Sequence, residues 1–359
     1  MALERQVVFW VAALAVFVAL LWLLSDVLLP FIAGMALAYL LDPIARRAEQ
    51  FGIGRGISAL IIIALVIVVL VVLVMAVAPV LVVQLGDFIE HLPGYVSKLQ
   101  SLLSDPSRPW LTKLVGSNVT DDPAKSMSGL VAQASGFIGT VLAKVWSGGR
   151  AAFSLLSLLV ITPVVAFYLL LDWAKVVATV DRCIPLQHRA TIYGLARDID
   201  AAIAGFVRGQ AVICLVLAAF YAIGLSLAGL NFGFLIGLMT GLFSFIPFVG
   251  AGTGFLVGGI IAVAQFWPDW VSMAMVAAVF LVGQALEGYV LSPRLVGAKV
   301  GLHPVWMMFS LLAFSYLFGF AGLLIAVPLA ATIGVLLRFG VRKYQQSAIY
   351  TGDSGLGPR

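Results

Sequence analysis

The fold is decided by residues 284 to 329, which read QALEGYVLSPRLVGAKVGLHPVWMMFSLLAFSYLFGFAGLLIAVPL. An apolar helix with Gln284 and Glu287 on one face is expected to break at Pro293. A short basic loop follows, and then a second apolar stretch interrupted at Gly319. A simple membrane anchor needs only about 20 apolar residues in a row. Glycine and proline breaks at membrane depth instead leave backbone groups unpaired, and these groups need protein or water as partners. This stretch is therefore expected to contain the functional site of a membrane protein.

The composition is that of a polytopic membrane protein. Hydrophobic residues make up 62% of the 359 and charged residues 10%, against about 25% charged residues in soluble domains. The net charge of +5 could suggest nucleic acid as a partner, but no basic run alternates with aromatic residues, so we interpret the basic residues as loop markers of orientation. The expected partners are therefore membrane lipids, and nucleic acid is not expected.

No pattern of an enzyme or of a cofactor site is present in the sequence. The two cysteines and three histidines lack the spacing of metal ligands. There is no phosphate-binding Gly-Lys-Ser/Thr loop and no nucleophile elbow. We therefore predict a protein that is not an enzyme and that holds no metal or other cofactor.

Hydropathy predicts an all-α polytopic fold. The apolar segments run at about 7–24, 27–41, 57–80, 151–171, 210–229, 232–266, 270–291 and 303–338. The first segment lacks a small-residue cleavage pattern after it, so we expect it to be retained. The segments 232–266 and 303–338 are too long for one span and contain Gly and Pro breaks, so each is interpreted as a hairpin of two short helices.

The loop charges predict orientation and domain organisation. Lys and Arg cluster in alternate short loops, so both termini are predicted to be cytoplasmic in the plasma (inner) membrane. A long polar segment on the opposite side has helical apolar spacing at its start and is expected to be a small exterior helical module. The predicted parts are three N-terminal spans (1–80), the exterior module (81–150), a fourth span with a cytoplasmic amphipathic helix (151–209), a transport region (210–340) and a cytoplasmic polar tail (341–359).

The amphipathic helix before residue 209 has one apolar stripe, from Ile192 to Phe206. We expect it to lie on the inner membrane surface as a connector, or to act as a gate or lever. Arg208 is expected to anchor a helix end among lipid headgroups, in preference to a role in substrate binding. Asp42 and Asp172 each end an apolar segment and are expected to mark the water boundary.

The two broken segments align without gaps when the chain is shifted by 72 residues, so that Gly250 meets Gly322. Each follows a helix, and the two helices are predicted to cross in opposite directions. This pattern predicts an inverted repeat with a transport site near the midplane; the alternative is ordinary packing of glycine-rich helices. The hairpin tips are the predicted gates, at Pro247, Phe248, Gly250, Gly319 and Gly322.

Glu287 is the acidic residue that lies clearly inside an apolar run. An ion at the centre of a span costs about 2.5–3.5 kcal/mol, so its side chain should face protein or water. Gln284 shares its helix face, and together they could bind a polar solute, a cation or a proton. The structural alternative is a helix-end glutamate paired with Arg294 or with an amide of a hairpin. His303, before Pro304, could titrate near neutral pH on the transport path or could cap the next helix.

Several short motifs are spread over about residues 7 to 340. They are Ala38-Tyr39-Leu40-Leu41-Asp42-Pro43, Thr162-Pro163 with Phe167-Tyr168-Leu169 and Asp172, Arg208-Gly209-Gln210, Ile246-Pro247-Phe248-Val249-Gly250, Glu287-Gly288, Pro293-Arg294-Leu295-Val296-Gly297, Gly301-Leu302-His303-Pro304, and Gly319-Phe320-Ala321-Gly322 with Val327-Pro328-Leu329. Together they resemble the autoinducer-2 exporter family of bacterial and archaeal permeases. Ala251 stands where that family usually has a proline after the first tip.

This resemblance implies a secondary transporter that forms a homo-oligomer, with a pentamer as the expected form, and whose hairpins move against a fixed scaffold. The leading hypothesis is export of a small polar solute such as the quorum-sensing signal autoinducer-2 by alternating access. A second hypothesis is a sodium/proton antiporter that uses Glu287. A third is a membrane scaffold that transports nothing, for which broken hairpins would be unnecessary.

Overall fold

The computed structural model describes residues 23–103, 149–247, 249–297 and 303–347, with a few isolated positions before residue 23 and Tyr350. Within these ranges the regular secondary structure is helical and no strand occurs, so the predicted all-α fold is confirmed. The helices are α1 (Ser25–Gln50), α2 (Arg55–Leu103), α3 (Gly149–Arg182), α4 (Arg189–Leu227), α5 (Gly233–Phe243), α6 (Val249–Phe266), α7 (Trp270–Ala285) and α8 (Pro304–Gln345).

Seven segments of the described chain are long and apolar enough to cross a membrane. A multi-pass membrane protein is therefore confirmed. Most of the predicted span at 7–24 and residues 104–148 of the predicted exterior module lie outside the described residues. The seven segments are Val27–Gln50, Arg55–His91, Leu158–Arg182, Leu186–Leu227, Val249–Phe266, Trp270–Val296 and Val305–Gln345.

The chain divides into two compact units. Unit 1 contains Met1–Leu65, Leu158–Gln210 and Ser292–Arg359, and unit 2 contains Val66–Ser157 and Ala211–Leu291. The first hairpin belongs to unit 2 and the second to unit 1. Because the two hairpins of the predicted inverted repeat fall in different units, their opposite orientation stays a prediction.

Helix α2 is much longer than the apolar segment that predicted it. It runs for 49 residues without ending at Pro79 or Pro93, which corresponds to a length of about 74 Å. A bilayer core is about 30 Å thick, so α2 is more than twice as long as a perpendicular membrane crossing needs. The helix also passes through the predicted boundary between residues 80 and 81, because the loss of apolar character there does not end the helix.

Helix α4 joins two parts that the sequence analysis separated. The amphipathic stripe and the following span form one helix of 39 residues, so the predicted surface connector is continuous with a membrane-crossing helix. Gly209 lies at the predicted junction without interrupting it. A Cβ atom there would lie 2.7 Å from the carbonyl oxygen of Leu295, so this glycine permits close packing within unit 1.

The expected break at Pro293 is wrong. After α7 the backbone stays helical as π-helical turns at Leu286–Leu291 and Pro293–Gly297. Proline removes one N–H donor and crowds the preceding turn, and a locally wider π turn absorbs such a disturbance without ending the helix. Pro293 therefore modifies the helix geometry and does not terminate it.

Both predicted hairpins contain a reversal of the chain. In the first, α5 and α6 pack along each other and are joined by residues 244–248. In the second, Gly319 interrupts α8 with φ 58° and ψ −139°. A Cβ atom on Gly322 would overlap the carbonyl of Phe314, eight positions earlier. Residues eight apart lie about 12 Å apart along one continuous helix, so α8 folds back on itself at Gly319.

Candidate functional site

The first hairpin is held against α4 by a row of glycines. Gly233, Gly237 and Gly241 follow one another at four-residue spacing on one face of α5. A Cβ atom at any of them would collide with the backbone of α4, whose residues at these points are Leu225, Tyr221, Ala222 and Ala218. Small residues in this pattern let two helices approach at backbone distance inside a membrane. Helix α5 is therefore packed directly on the α4 backbone.

The start of this hairpin is fixed by polar contacts with α2. The side-chain oxygen of Gln84 accepts a hydrogen bond from the backbone N–H of Leu235 at 3.0 Å. Asn231 donates from its side chain to the Tyr95 hydroxyl at 2.8 Å, and its backbone N–H donates to Gln265 at 2.8 Å. Asn231 thus binds neighbouring protein groups, as do the hydroxyls of Thr240, Ser244, Thr253 and Ser310, which donate to local backbone carbonyls.

The tip of the first hairpin is a tight turn. Pro247 is half-buried, and Gly250 is buried where α6 begins. A Cβ atom on Gly250 would overlap the backbone of Phe243 and Ser244, so only glycine fits there. Phe248 lies outside the described residues. These close contacts make the turn compact, and its role as a gate stays a prediction.

Gln284 and Glu287 form the polar pair that their spacing predicted. The Gln284 amide donates to a Glu287 carboxylate oxygen at 3.3 Å. Glu287 lies in the first π-helical turn after α7 and is half-buried. It makes no ion pair with a described residue, so the pairing with Arg294 that the sequence allowed is not observed. The amide of Gln284 is its one described side-chain partner.

Tyr221 of α4 adds a group to this pair that sequence reasoning missed. Its ring packs directly on Gly283 and lies 5.4 Å from the ring of Phe280. The hydroxyl is buried and makes no contact with full hydrogen-bond geometry among the described residues. Its polar neighbours are the side chain of Gln284, which approaches as a hydrogen-bond partner, and the carboxylate of Glu287. A buried polar group without a partner is costly. The arrangement therefore places a hydroxyl, an amide and a carboxylate side by side, with the hydroxyl closed off from solvent.

The remaining predicted site residues belong to unit 1. Gly319 and Gly322 form the reversal of the second hairpin. Gly319 has a positive φ, and a Cβ atom on Gly322 would overlap the backbone, so both positions require glycine. His303 caps α8, since its Nδ1 accepts a hydrogen bond from the backbone N–H of Val305 at 3.3 Å. This contact matches the capping alternative for His303. The structure thus brings together Gln284 and Glu287 within unit 2, and Gly319 and Gly322 within unit 1.

A second polar cluster, in unit 1, was also missed. Asp42 of α1 pairs with Arg46 at 2.8 Å and lies 3.9 Å from Arg55 and from Arg208. The Arg208 Nε donates to the Tyr39 carbonyl at 2.9 Å. Arg208 therefore contacts α1, and its expected role as a headgroup anchor stays a prediction. The only sequence signal was that Tyr39, Asp42 and Arg208 all occur in the motifs of the family resemblance.

Metal binding has no support in the described part of the chain. No group of three or more His, Cys, Asp or Glu side chains there is arranged to hold a metal ion. A cation at Glu287 would need further oxygen ligands, such as backbone carbonyls, because hard cations prefer several oxygens.

Known proteins share sequence with this chain over most of its length. YrrI of Bacillus subtilis (strain 168), provisionally named a transport protein, is 28% identical over 325 residues, which cover 88% of this chain and 87% of that protein. PerM of Escherichia coli (strain K12), provisionally named a permease, is 26% identical over 332 residues, which cover 91% of this chain and 92% of PerM. The sequence profile described as AI-2E family transporter matches residues 11–342. The chain therefore belongs to the AI-2E transporter family.

Proposed function

We propose that this protein is a secondary transporter that exports a small polar solute, such as the autoinducer-2 signal, by alternating access. The observation that carries the proposal is the group formed by Tyr221, Gln284 and Glu287 inside membrane-crossing helices, where each polar group has few protein partners. Intramembrane ionisable residues that face protein mark solute or ion pathways. Membership of a transporter family supports the same conclusion.

The first hairpin supports a mechanism in which a stiff element moves as a body, as in an elevator. The glycine contacts leave no side chains between α5 and α4 that could slide past each other. Hairpin movement would therefore carry the last turns of α4 with it, including Tyr221. The tips at Pro247–Gly250 and at Gly319–Gly322 would act as the gates, and His303 would lie at the start of the second hairpin.

A sodium/proton antiporter is the alternative function, and the unpaired carboxylate of Glu287 favours it. A carboxylate without an ion pair in a span can take up and release a proton as its exposure to water changes. Cation binding would need additional oxygen ligands. The π-helical turns around Glu287 change the backbone hydrogen-bond register, and backbone carbonyls released there would supply such ligands.

The cellular setting is part of the proposal. We place the protein in the inner (plasma) membrane with both termini in the cytoplasm, on the basis of the Lys and Arg bias of its short loops. The family resemblance suggests a homo-oligomer, with a pentamer as the expected form. Cross-linking of the purified protein in lipid tests the subunit number, and cysteine labelling from either side tests the orientation.

Transport of autoinducer-2 by purified protein in proteoliposomes tests the leading function. Flux is measured with and without imposed pH and sodium gradients for wild type and for Glu287→Gln. Glu90→Gln serves as a matched control, because Glu90 is an exposed carboxylate of α2. We expect furanone flux that persists without gradients, changes in Glu287→Gln and is unchanged in Glu90→Gln. Absence of furanone flux, with sodium-dependent proton movement that Glu287→Gln abolishes, would replace the leading function by the antiporter.

A further inference from the structure

One face of α1 changes from apolar to charged along its length. Val27, Phe31 and Met35 repeat at four-residue spacing, and each is about half exposed, at 54%, 46% and 49%. The same face continues toward the helix C-terminus with Tyr39, Asp42 and Arg46. The apolar part can contact lipid chains. The charged part lies at the end of α1 that the basic loops predict to be cytoplasmic.

The charged end of this face opens on a cavity within unit 1. The cavity has a volume of about 420 Å³ and lies between α1, α3 and α4. Small-molecule sites usually enclose about 300–1,000 Å³, so the space is large enough for a compact polar group. Met35 also lines the cavity, so the cavity is continuous with the apolar part of the face.

The cavity carries equal numbers of positive and negative groups. Its charged lining consists of two guanidinium groups, Arg46 and Arg208, and two carboxylates, Asp42 and Asp200. The Nε of Arg46 forms the ion pair with Asp42, and the Arg46 side chain is 63% exposed, so its other guanidinium nitrogens can reach a ligand. Asp200 makes no ion pair with a described residue. The cavity thus offers donors for an anion and an acceptor for a cation, and it favours neither net charge.

Aromatic rings form part of the wall next to Asp200. Tyr39 and Trp173 both line the cavity, and their ring centroids lie 6.3 Å apart in an edge-to-face arrangement. The Tyr39 hydroxyl also approaches Asp200 as a hydrogen-bond donor, which leaves the other lone pairs of the carboxylate for a ligand. Aromatic faces attract ammonium groups. A carboxylate beside two aromatic rings is therefore suited to a primary ammonium group.

We propose that this cavity binds the headgroup of a zwitterionic phospholipid that carries a primary ammonium group, such as phosphatidylethanolamine. The phosphate lies near the guanidinium groups of Arg46 and Arg208, and the ammonium group donates hydrogen bonds to Asp200. An acyl chain follows the apolar face from Met35 to Val27. The exposed apolar face identifies a lipid, and not a soluble zwitterion of the same headgroup chemistry, as the occupant.

Native mass spectrometry of the full-length protein in detergent tests this proposal. Phosphatidylethanolamine, phosphatidylcholine and phosphatidylglycerol with identical acyl chains are added separately, and the bound fraction is measured for each. We expect about tenfold tighter binding of phosphatidylethanolamine than of the other two, because hydrogen bonds between charged groups require its N–H donors. Equal binding of the choline lipid, or preference for the anionic lipid, would overturn the proposal without the use of any variant.

Matched variants locate the site. Asp200→Asn should lower the affinity for phosphatidylethanolamine about tenfold, to the level of phosphatidylcholine. Arg46→Gln should weaken all phospholipids with similar strength, since the phosphate is common to them. Asp198→Asn and Arg47→Gln are the controls, because these neighbours are exposed and do not line the cavity. Equal effects of Asp200→Asn and Asp198→Asn would contradict the assignment.

Competition with soluble phosphoethanolamine separates the two sources of the headgroup. If contact of the acyl chain with α1 adds to the affinity of the lipid, a large excess of phosphoethanolamine, which has no acyl chain, should leave the lipid bound. Displacement at a concentration equal to that of the lipid would show that the site takes a soluble zwitterion, and would overturn the lipid assignment. Lipid binding is measured independently of transport. A failure to observe the proposed solute flux would therefore leave the lipid-binding result unaffected.

Discussion

The glycine contacts between α5 and α4 predict a large effect of one added methyl group. Gly237 lies in the middle of α5, and a Cβ atom there would collide with the backbone of α4 at Tyr221 and Ala222. Backbone atoms cannot rotate away as side chains can, so Gly237→Ala must push the two helices apart. We expect this variant to be less stable than wild type.

The size of the effect follows from a comparison with Gly259→Ala. Gly259 lies inside α6 and has nothing within 4 Å of a Cβ position. Both substitutions gain the same helix propensity, about 1 kcal/mol, so that contribution cancels in their difference. What remains is the cost of overpacking, about 1–3 kcal/mol. Gly237→Ala should therefore have a free energy of unfolding lower than that of Gly259→Ala by this amount.

Reversible unfolding in mixed micelles, with increasing mole fraction of a denaturing detergent, measures both free energies of unfolding. Wild type and the two variants are followed by loss of helical circular dichroism under identical conditions. Gly259→Ala should be as stable as wild type or more stable. If Gly237→Ala proves as stable as Gly259→Ala, the α4 and α5 backbones are not in direct contact, and the inference of a stiff hairpin body fails.

Two further outcomes are expected. Asp269 caps α7, and hydrogen bonds from the Ser272 hydroxyl and from backbone N–H groups hold the pKa of its carboxyl below the usual value. Its stabilisation should be complete above the unfolded pKa of about 3.9 and should disappear as the pH falls through the lower folded pKa. The difference in melting temperature between wild type and Asp269→Ala should thus be constant near neutral pH and shrink below about pH 4; a constant difference down to pH 2 would contradict this. Gly319 has a backbone conformation that is open essentially to glycine, so Gly319→Ala should lose about 1–3 kcal/mol of stability, whereas Gly340→Ala, with open space around it, should not. Equal melting temperatures of these two variants would show that Gly319 is not strained.

Apolar runs predicted where the membrane spans lie, because hydropathy measures compatibility with lipid. They did not predict where helices end. Helix α2 continues past Pro79 and Pro93, and the helix after α7 continues past Pro293. A proline costs one hydrogen bond and some steric strain. Neighbouring residues can outweigh that cost through packing or a change to π-helical turns, which a local sequence pattern does not reveal.

The candidate site was predictable where its residues lie on one helix. The spacing of Gln284 and Glu287 was enough to place them together, and their hydrogen bond follows from it. Tyr221 lies more than 60 positions earlier in the chain, and nothing in its local sequence indicates Gly283 as its contact. The cluster of Asp42 and Arg208 was missed for the same reason, since each alone resembles an ordinary residue at a membrane boundary.

The length of α2 has a mechanical consequence for the first hairpin. Gln84 and Tyr95, eleven positions apart on this helix, hold the backbone N–H of Leu235 and the side chain of Asn231. A tilt of about 10° pivoting at Gln84 would displace Tyr95 sideways by about 3 Å, because the two lie about 16 Å apart along the axis. That displacement is as long as the hydrogen bond to Asn231. A small tilt of α2 would therefore break the hydrogen bond between Tyr95 and Asn231 and leave the one between Gln84 and Leu235 in place, so the position of the first residues of the hairpin depends on the angle of α2.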